Sequence, residues 1–291
     1  MEPFQIICGE KRLDFEYKPL IMGIVNITPD SFSDGGVFFD PDSAVAHGLK
    51  LVNEGADILD IGGESTRPFS QPVSVEEEIR RVVPVINALA GQVGIPISID
   101  TTKAEVAEAA LAAGAGLIND ISALRMDEKM AEIVRSYQVP VILMHMLGTP
   151  KTMQIDPVYD DLIGEVHDFL KAAIDAAEQK GIDRNKIIID PGIGFGKTPM
   201  HNLLLIRHIA QFRSLGCPIL IGPSRKAFIR HLLKKPAEKE LAPNSPMVEA
   251  GTQAVVAISA MNGANIFRVH DVAATQATLK ILGAIQTASM I

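Results

Sequence analysis

The sequence lacks several features that would exclude a cytoplasmic enzyme. No uninterrupted apolar stretch reaches the ~18 residues that read as a membrane-spanning helix. The first ten residues have neither the basic start nor the apolar core of a secretion signal, so we expect a cytoplasmic location. Only two cysteines occur, Cys8 and Cys217, and their wide separation gives neither a disulfide framework nor zinc-ligand spacing. Membrane-spanning, disulfide-stabilised and zinc-structured proteins are therefore excluded.

Positive charge is also scarce. The chain has 27 Lys and Arg against 35 Asp and Glu, a net charge of −8, which argues against nonspecific binding to nucleic acid or to an anionic membrane. Hydrophobic residues make up 47% of the 291 residues, which is enough to bury a sizeable core. Because α/β barrels commonly reach this length as one unit, we expect a single domain over residues 1–291.

Eight short apolar runs alternate with segments that have apolar residues at helical spacing. Nearly continuous Val, Ile and Leu is typical of parallel strands that are covered on both faces. Eight such strand–helix units predict a closed (β/α)₈ barrel of the TIM type, for which ~250 residues is typical. The runs cover residues 21–28, 56–62, 95–101, 116–122, 139–146, 187–192, 217–223 and 265–271.

Two segments fall outside this alternation. Phe4–Cys8 and Leu13–Tyr17 flank Gly9-Glu10, and we expect them to form a β-hairpin that closes the bottom of the barrel. Lys234–Pro246 interrupts the seventh unit with charged residues and three prolines. This composition predicts a surface excursion rather than a domain boundary.

Each apolar run ends in side chains that can bind, protonate or ligate, and a barrel brings these ends to one rim. Asp100, Asn119 and Asp190 end apolar strands, where a charge is costly unless it is paired or meets a ligand. A planar heterocycle with alternating donors and acceptors would suit them, and Lys226 could donate to it. The alternative is that these groups pair with Lys or Arg inside the barrel.

Five cationic or titratable basic side chains fall at the carboxyl ends of strands and are also expected at this rim. They are Arg67, Arg225, Lys226, Arg268 and His270. Their convergence in an acidic protein indicates an anionic ligand. Ser224-Arg225-Lys226 is predicted to begin a helix, whose backbone N–H groups would face a carboxylate or phosphate. His145, between two methionines, suits either core packing or a pocket wall.

Three loops after strands differ in what they predict. Residues 26–36 exceed the about two to six residues of most βα loops and are rich in Asn, Asp, Ser and Thr, which favours a lid or binding loop. Residues 62–68 add Arg67 near the same rim. Residues 190–198 look like a phosphate loop, but Pro191 stands where GxxxxGK[ST] requires glycine. A tight turn that holds Phe195 toward the pocket is the better interpretation.

Eight segments occur in an order that matches one known family. They are MGIVNITPDSFSDGG, DIGGESTRP, SIDTTKAEVAEAAL, INDIS, LMHMLGTPKTMQ, IDPGIGFGK, GPSRKAFI and FRVHDV. Spanning about residues 20–275, they resemble the dihydropteroate synthases, the pterin-binding folate-pathway enzymes that sulfonamides block. The resemblance implies a (β/α)₈ barrel, usually dimeric. It further implies Mg²⁺-dependent condensation of 6-hydroxymethyl-7,8-dihydropterin pyrophosphate with p-aminobenzoate to 7,8-dihydropteroate and pyrophosphate.

Carried over residue by residue, the resemblance also implies roles for individual side chains. Those that would hold the pterin ring are Asp100, Asn119, Asp190 and Lys226, and Asn26 would help coordinate Mg²⁺. Those that would bind the pyrophosphate are Thr66, Arg67, Arg268 and His270, with Asp30 in the loop closing over it. Those that would line the p-aminobenzoate slot are Phe32, Pro68, Phe195 and the turn Ser224–Lys226. Catalysis itself would fall to Arg67, Asp100, Lys226, Arg268 and His270.

Two other functions remain open at this point. A pterin-binding methyltransferase domain would share the barrel and the pterin carboxylates but would work with a cobalamin partner. A noncatalytic pterin-binding protein could also use this fold. The complete TPDSFSDGG and ESTRP loops argue against the first, and the presence of Arg67, Lys226, Arg268 and His270 argues against the second.

Overall fold

The computed structural model describes residues 4–15, 18–27, 40–65, 71–235 and 240–288. A short antiparallel hairpin, β1 (Gln5–Cys8) and β2 (Lys11–Asp14), comes first. Eight parallel strands follow as one sheet. They are β3 (Leu20–Asn26), β4 (Ile58–Gly62), β5 (Ile97–Asp100), β6 (Leu117–Asp120), β7 (Val141–Met144), β8 (Ile187–Asp190), β9 (Leu220–Ile221) and β10 (Ile266–Val269).

The sheet closes into a barrel. Its strand order is β8-β7-β6-β5-β4-β3-β10-β9, so the two ends of this order are β8 and β9. A parallel bridge between Ile189 and Ile219 joins them, and the Ile189 N–H donates to the Pro218 carbonyl over 2.9 Å. The predicted (β/α)₈ architecture is confirmed, because all eight predicted runs become strands in chain order.

Helices follow the barrel strands along the described part of the chain. They are α1 (Pro41–Asn53), α2 (Val75–Ala90), α3 (Ala104–Ala112), α4 (Met130–Tyr137), α5 (Leu162–Gln179), α6 (Pro199–Arg207), α7 (Ala227–Leu233), α8 (Pro246–Met261) and α9 (Val272–Thr287). Asp40, Ser74, Asp161, Ser245 and Asp271 cap helix starts by accepting from backbone N–H groups. Among these helices none is both long and apolar enough to cross a membrane.

Alternating side chains divide the core into two parts. Outward-facing residues such as Ile61, Ile99 and Leu143 pack against the surrounding helices in the larger cluster. Inward-facing residues at the strand starts, including Ile58 and Leu117, form a separate cluster with Ile6, Cys8 and Leu13 of the hairpin. The hairpin therefore closes the amino-terminal end of the barrel as predicted, although β2 ends at Asp14 rather than near Tyr17.

The seventh unit departs most from the predictions. Its strand covers only Leu220–Ile221 instead of residues 217–223, because Pro218 and Pro223 bracket it and neither can donate a ladder hydrogen bond. The helical part is split into α7 and α8, and the predicted excursion Lys234–Pro246 separates them. Four of its residues, 236–239, lie outside the described residues.

Candidate active site

The carboxyl ends of four neighbouring strands lie in one row. Asn26 of β3 is in register with Gly62 of β4, and Gly62 is in register with Asp100 of β5. Asp100 is in turn opposite Asn119 of β6. A Cβ on Gly62 would lie 3.4 Å from the Asp100 Cβ, so the absence of a side chain at Gly62 leaves space beside Asp100. Three of the predicted site residues are thus brought to one level of the barrel.

Arg268 of β10 joins this row through two carboxylates. Its Nε donates to Asp60 Oδ2 over 2.5 Å, and its Nη2 donates to Asp100 Oδ2 over 2.7 Å. Asn119 Nδ2 donates to the same Asp60 oxygen over 3.1 Å. The alternative of pairing inside the barrel is therefore observed for Asp100. The arginine side chain keeps 22% exposure, and these two bonds use its Nε and Nη2 but not its Nη1.

Burial changes the protonation of the two predicted pterin carboxylates. Desolvation raises the pKa of Asp100 to about 7, an effect that Arg268 opposes and the neighbouring carboxylates, Asp60 first, reinforce. Desolvation also raises the pKa of Asp190 to about 6, although the Gly192 N–H donates to its Oδ1 over 2.6 Å and nearby cations oppose the rise. Both groups can change charge near neutral pH, which is common at functional sites.

The turn after β9 carries Ser224 and Lys226 but does not form the predicted helix start. The helix α7 begins at Ala227, and Arg225 adopts a left-handed conformation with φ of 59°. The Arg225 N–H donates to Thr252 Oγ1 over 3.2 Å, and the Lys226 N–H donates to the Pro223 carbonyl over 3.4 Å. The N–H groups of Arg225 and Lys226 are therefore already bonded within the protein, which leaves the predicted role in anion binding untested only for the Ser224 N–H.

Side chains of the same turn nevertheless meet other predicted site residues. Ser224 Oγ lies 2.9 Å from His270 Nδ1 and accepts from the His270 N–H over 3.2 Å. The Lys226 ammonium lies over the ring of Phe195, 4.1 Å from its centroid. The structure thus joins β9 to β10 through Ser224 and His270, and β9 to the loop after β8 through Lys226 and Phe195.

That loop also contains a buried cation that sequence reasoning passed over. Lys197 is 3% exposed, and its Nζ donates to His145 Nδ1 and to the Phe195 carbonyl, each over 2.9 Å. Desolvation lowers the Lys197 pKa to about 7, with Asp190 opposing the change. Desolvation and then the Lys197 charge lower the pKa of His145 to about 2, so this imidazole is neutral.

A cavity of about 310 Å³ opens at the same rim beside Asp100 and Thr101. Glu64, Ile121 and Lys151 are among the other residues that line it. Its wall also includes the buried Glu78 of α2, which shares the Lys103 ammonium with Glu64. The start of the second loop is therefore fixed by a lysine between two carboxylates, next to a space large enough for a small organic ligand.

Five predicted site residues belong to the two loops that the structure does not describe in full. Thr66, Arg67, Pro68, Asp30 and Phe32 all lie outside the described residues. Asn26 lies within them and is partly exposed at the end of β3. Within the described ranges no three His, Cys, Asp or Glu side chains form a group that could hold a metal ion. The assignment of Asn26 to a Mg²⁺ site stays a prediction.

Sequence reasoning missed two residues of this site. Asp60 received no role from the sequence, although a carboxylate within the apolar run DILDIG signals a partner nearby, and the structure shows it fully buried. Its Oδ1 has no hydrogen-bond partner among the described residues. Lys197 was seen only as part of a failed phosphate-loop motif, and nothing in its local sequence indicates that it is buried.

Comparison with known proteins shows that the chain belongs to the pterin-binding enzyme family. A family model described as pterin binding enzyme matches residues 22–270. The chain is 44% identical over 266 residues to the dihydropteroate synthase of Escherichia coli strain K12, covering 91% of each protein. It is also 44% identical over 277 residues to the dihydropteroate synthase of a Synechocystis species, covering 95% of this chain and 93% of that protein.

Solved structures agree in fold and in length. The dihydropteroate synthase of Xanthomonas albilineans with 4-aminobenzoic acid has a TM-score of 0.91 and 47% identity, covering 99% of this chain and 100% of that chain. The same enzyme in complex with 7,8-dihydropteroate has a TM-score of 0.87 and 46% identity, covering 98% and 100%.

Proposed function

Because the chain belongs to the family of pterin-binding enzymes, we propose that it catalyses the dihydropteroate synthase reaction of folate biosynthesis. In this reaction 6-hydroxymethyl-7,8-dihydropterin pyrophosphate and p-aminobenzoate give 7,8-dihydropteroate and pyrophosphate. The observation that carries the proposal is the polar rim that the buried Asp100, Asn119 and Asp190 form with the partly exposed Arg268 at the carboxyl end of the barrel. Active sites of this fold lie at that end.

Pterin recognition follows from the hydrogen-bonding capacity of these side chains. Ionised Asp100 and Asp190 are acceptors only, so they suit the ring N–H and exocyclic amino groups of a pterin. Asn119 can donate and accept, and Lys226 can donate to a ring carbonyl or nitrogen. Burial makes each such bond selective. A ligand that leaves one of these groups unpaired would bind more weakly, because the desolvation penalty of that group would not be offset by a hydrogen bond.

The chemical step replaces a C–O bond by a C–N bond. We assign the stabilisation of the departing pyrophosphate to Arg268, through its Nη1, together with His270 and Arg67. The C–O bond breaks with its electron pair leaving on pyrophosphate, which produces a pterin-methylene cation. The amine of p-aminobenzoate attacks this carbon and then loses a proton. Mg²⁺, held by Asn26 and pyrophosphate oxygens, would neutralise charge on the leaving group.

The slot for p-aminobenzoate would be lined by Phe195 and Ser224–Lys226, with Phe32 and Pro68 contributed by the two long loops, whereas Thr66 would bind the pyrophosphate. The geometry that supports this assignment is the packing of Lys226 on Phe195, which puts a pterin-binding cation beside an aromatic wall. The two remaining candidates, a methyltransferase domain and a noncatalytic pterin binder, would need the pterin groups alone. Arg268 keeps 22% exposure beside the pterin carboxylate Asp100, and an accessible cation at this rim favours a site that also handles an anion.

We expect the purified protein to form dihydropteroate and pyrophosphate in equal amounts, and to need Mg²⁺. Lys226→Ala should lower kcat/KM by about 100-fold or more, because it removes a charged donor to the ring. Product formation measured by chromatography, with a coupled pyrophosphate assay, checks both expectations. Lys129→Ala, which changes the exposed residue just before α4, serves as the matched control. Tight pterin binding without product would contradict the synthase and leave a binder or a methyltransferase relative.

We further propose that the chain is a homodimer. Large apolar side chains remain exposed on the last two helices, including Met261 of α8 and Ile281 and Ile285 of α9 at 67%, 63% and 67%. Light scattering during size-exclusion chromatography should give twice the 31.3 kDa mass of one chain. The double change Ile281→Asp and Ile285→Asp should shift this mass toward one chain. A wild-type mass of one chain at micromolar concentration would contradict the dimer.

A cytoplasmic location also belongs to the proposal. Cys8 and Cys217 are both buried and unpaired, which suits a reducing compartment. Burial raises the pKa of the Cys8 thiol to about 12 and that of the Cys217 thiol to about 11. Both thiols therefore stay protonated and unreactive at neutral pH. The acidic balance of the chain, with no excess of Lys and Arg, supports small-molecule substrates rather than nucleic acid as its ligands.

A further inference from the structure

Lys197 is a buried cation that no step of the proposed reaction uses. Its ammonium group has two hydrogen bonds at 2.9 Å, one to His145 Nδ1 and one to the Phe195 carbonyl. When Lys197 carries its proton it can only donate, so His145 Nδ1 then accepts and the imidazole proton lies on Nε2. The lysine therefore joins the loop after β8 to the end of β7 through a defined tautomer of His145.

His145 is itself held in place. Its ring packs edge-on against Phe169 of α5, with 4.8 Å between the ring centroids. Its backbone N–H donates to the Asp190 carbonyl over 2.9 Å. Because α5 and the end of β8 both fix His145, the imidazole is a rigid anchor for Lys197.

The loop that contains Lys197 approaches the end of β7 very closely. A Cβ on Gly192 would lie 1.9 Å from the His145 carbonyl oxygen, and a Cβ on Gly196 would lie 2.6 Å from Leu147 Cβ. Both glycines have positive φ, so other residues would be strained there. Two more carbonyls of this loop accept side-chain bonds, Gly194 from Gln154 and Gly196 from Tyr159. Lys197 supplies the bond to the carbonyl of Phe195 itself.

A bond that fixes the Phe195 backbone also restricts where the ring of the same residue can lie. The ring carries the Lys226 ammonium at 4.1 Å, and a Cβ on Gly194 would lie 2.9 Å from Lys226 Cδ. We propose that Lys197 is a positioning residue: by tying the Phe195 carbonyl to His145, it fixes the aromatic wall of the p-aminobenzoate slot and the lysine packed on it. This inference rests on the proposed function and adds a specificity role for two residues that do not touch the substrate.

A matched pair at His145 isolates the hydrogen bond from the loss of the ring. His145→Asn keeps an acceptor near the position of Nδ1, whereas His145→Leu removes it, and both lose the contact with Phe169. We expect the Leu variant to raise the KM for p-aminobenzoate by about tenfold and the Asn variant by markedly less. Lys197→Met should resemble the Leu variant, and in all three the KM for the pterin pyrophosphate should change less than that for p-aminobenzoate.

An exposed lysine provides the control, and three outcomes would contradict the positioning role. Lys129→Met, at an exposed lysine, should leave both KM values unchanged. Equal KM values for p-aminobenzoate in the Asn and Leu variants, or parallel changes for both substrates, would overturn the positioning role. A crystal structure of Lys197→Met should show Phe195 and Lys226 displaced, and unmoved side chains would also overturn it. This structural readout decides the matter even if the wild-type protein forms no dihydropteroate, an outcome that would instead refute the proposed function.

Discussion

Arg268→Met is expected to lower the free energy of unfolding by about 3–5 kcal/mol, the range for removing one partner of a buried ion pair. The change leaves Asp60 and Asp100 close together and without their shared cation, and both carboxylates are buried. Turnover should fall by at least about 100-fold, because the proposed donor to the leaving pyrophosphate is lost. Urea denaturation followed by circular dichroism, together with steady-state kinetics, measures the two effects.

Two further variants separate the effect on stability from the effect on catalysis. Arg268→Lys retains a positive charge but lacks the planar guanidinium fork, including the Nη1 assigned to the pyrophosphate, so we expect a smaller loss of stability and a similar loss of turnover. Arg80→Met removes a surface arginine that pairs with Glu77, and it should change neither property appreciably. Near-normal turnover of a folded Arg268→Met protein would show that the assignment to pyrophosphate is wrong.

The destabilisation should also depend on pH. Burial raises the Asp100 pKa to about 7, so below this value the group is largely neutral and needs its cation less. Above it, the ionised carboxylate depends on Arg268. The difference in unfolding free energy between the wild type and Arg268→Met should therefore increase from pH 6 to pH 8.5.

Asp190→Asn is expected to have the opposite effect on stability while it still weakens the pterin site. The asparagine oxygen can still accept from the Gly192 N–H, so the turn after β8 is retained. Pterin pyrophosphate affinity should fall by about 100-fold, because a charged acceptor is lost and an NH₂ group then faces ligand donors. Isothermal titration calorimetry measures this loss. Unchanged affinity would remove Asp190 from the pterin site.

The stability change follows from the direction of the pKa shift. The folded-state pKa of Asp190, about 6, lies above the ordinary value for an aspartate, so ionisation destabilises the folded protein as pH rises through this interval. Asp190→Asn removes this cost, and its thermal midpoint should exceed that of the wild type at pH 8 but not at pH 4. Asp168→Asn, with an aspartate side chain that is 83% exposed, is the matched control and should show no such difference.

Ligand binding provides an independent check on the same group. Wild-type affinity for pterin should rise with pH as Asp190 and then Asp100 ionise. An ionised carboxylate only accepts hydrogen bonds, whereas a protonated carboxyl group also carries an O–H donor. In Asp190→Asn the part of this rise near pH 6 should disappear. A pH profile identical to that of the wild type would assign the titration to another group.

Local patterns in the sequence were sufficient for the architecture. Eight apolar runs separated by helical spacing predict parallel strands buried on both faces, and such strands have few alternatives to a closed barrel. The barrel topology then places every strand end on one rim, so Asp100, Asn119, Asp190 and Arg268 could be grouped without coordinates. Most strands were predicted too long, by up to three residues at one end, most clearly around Leu220–Ile221, where proline removes ladder donors without breaking an apolar pattern.

The partners of the charged residues depended on the tertiary structure. Arg268 and Asp60 are 208 positions apart in the chain, and no periodicity indicates that they share a hydrogen bond. The turn at Arg225 and the burial of Lys197 are likewise set by contacts with Thr252 and His145 from other units. The sequence by itself determined the fold and the rim on which its polar groups converge, since both follow from short-range periodicity. Only the tertiary structure decided which groups pair, which are desolvated and which remain available to a ligand, because those properties depend on contacts between distant segments.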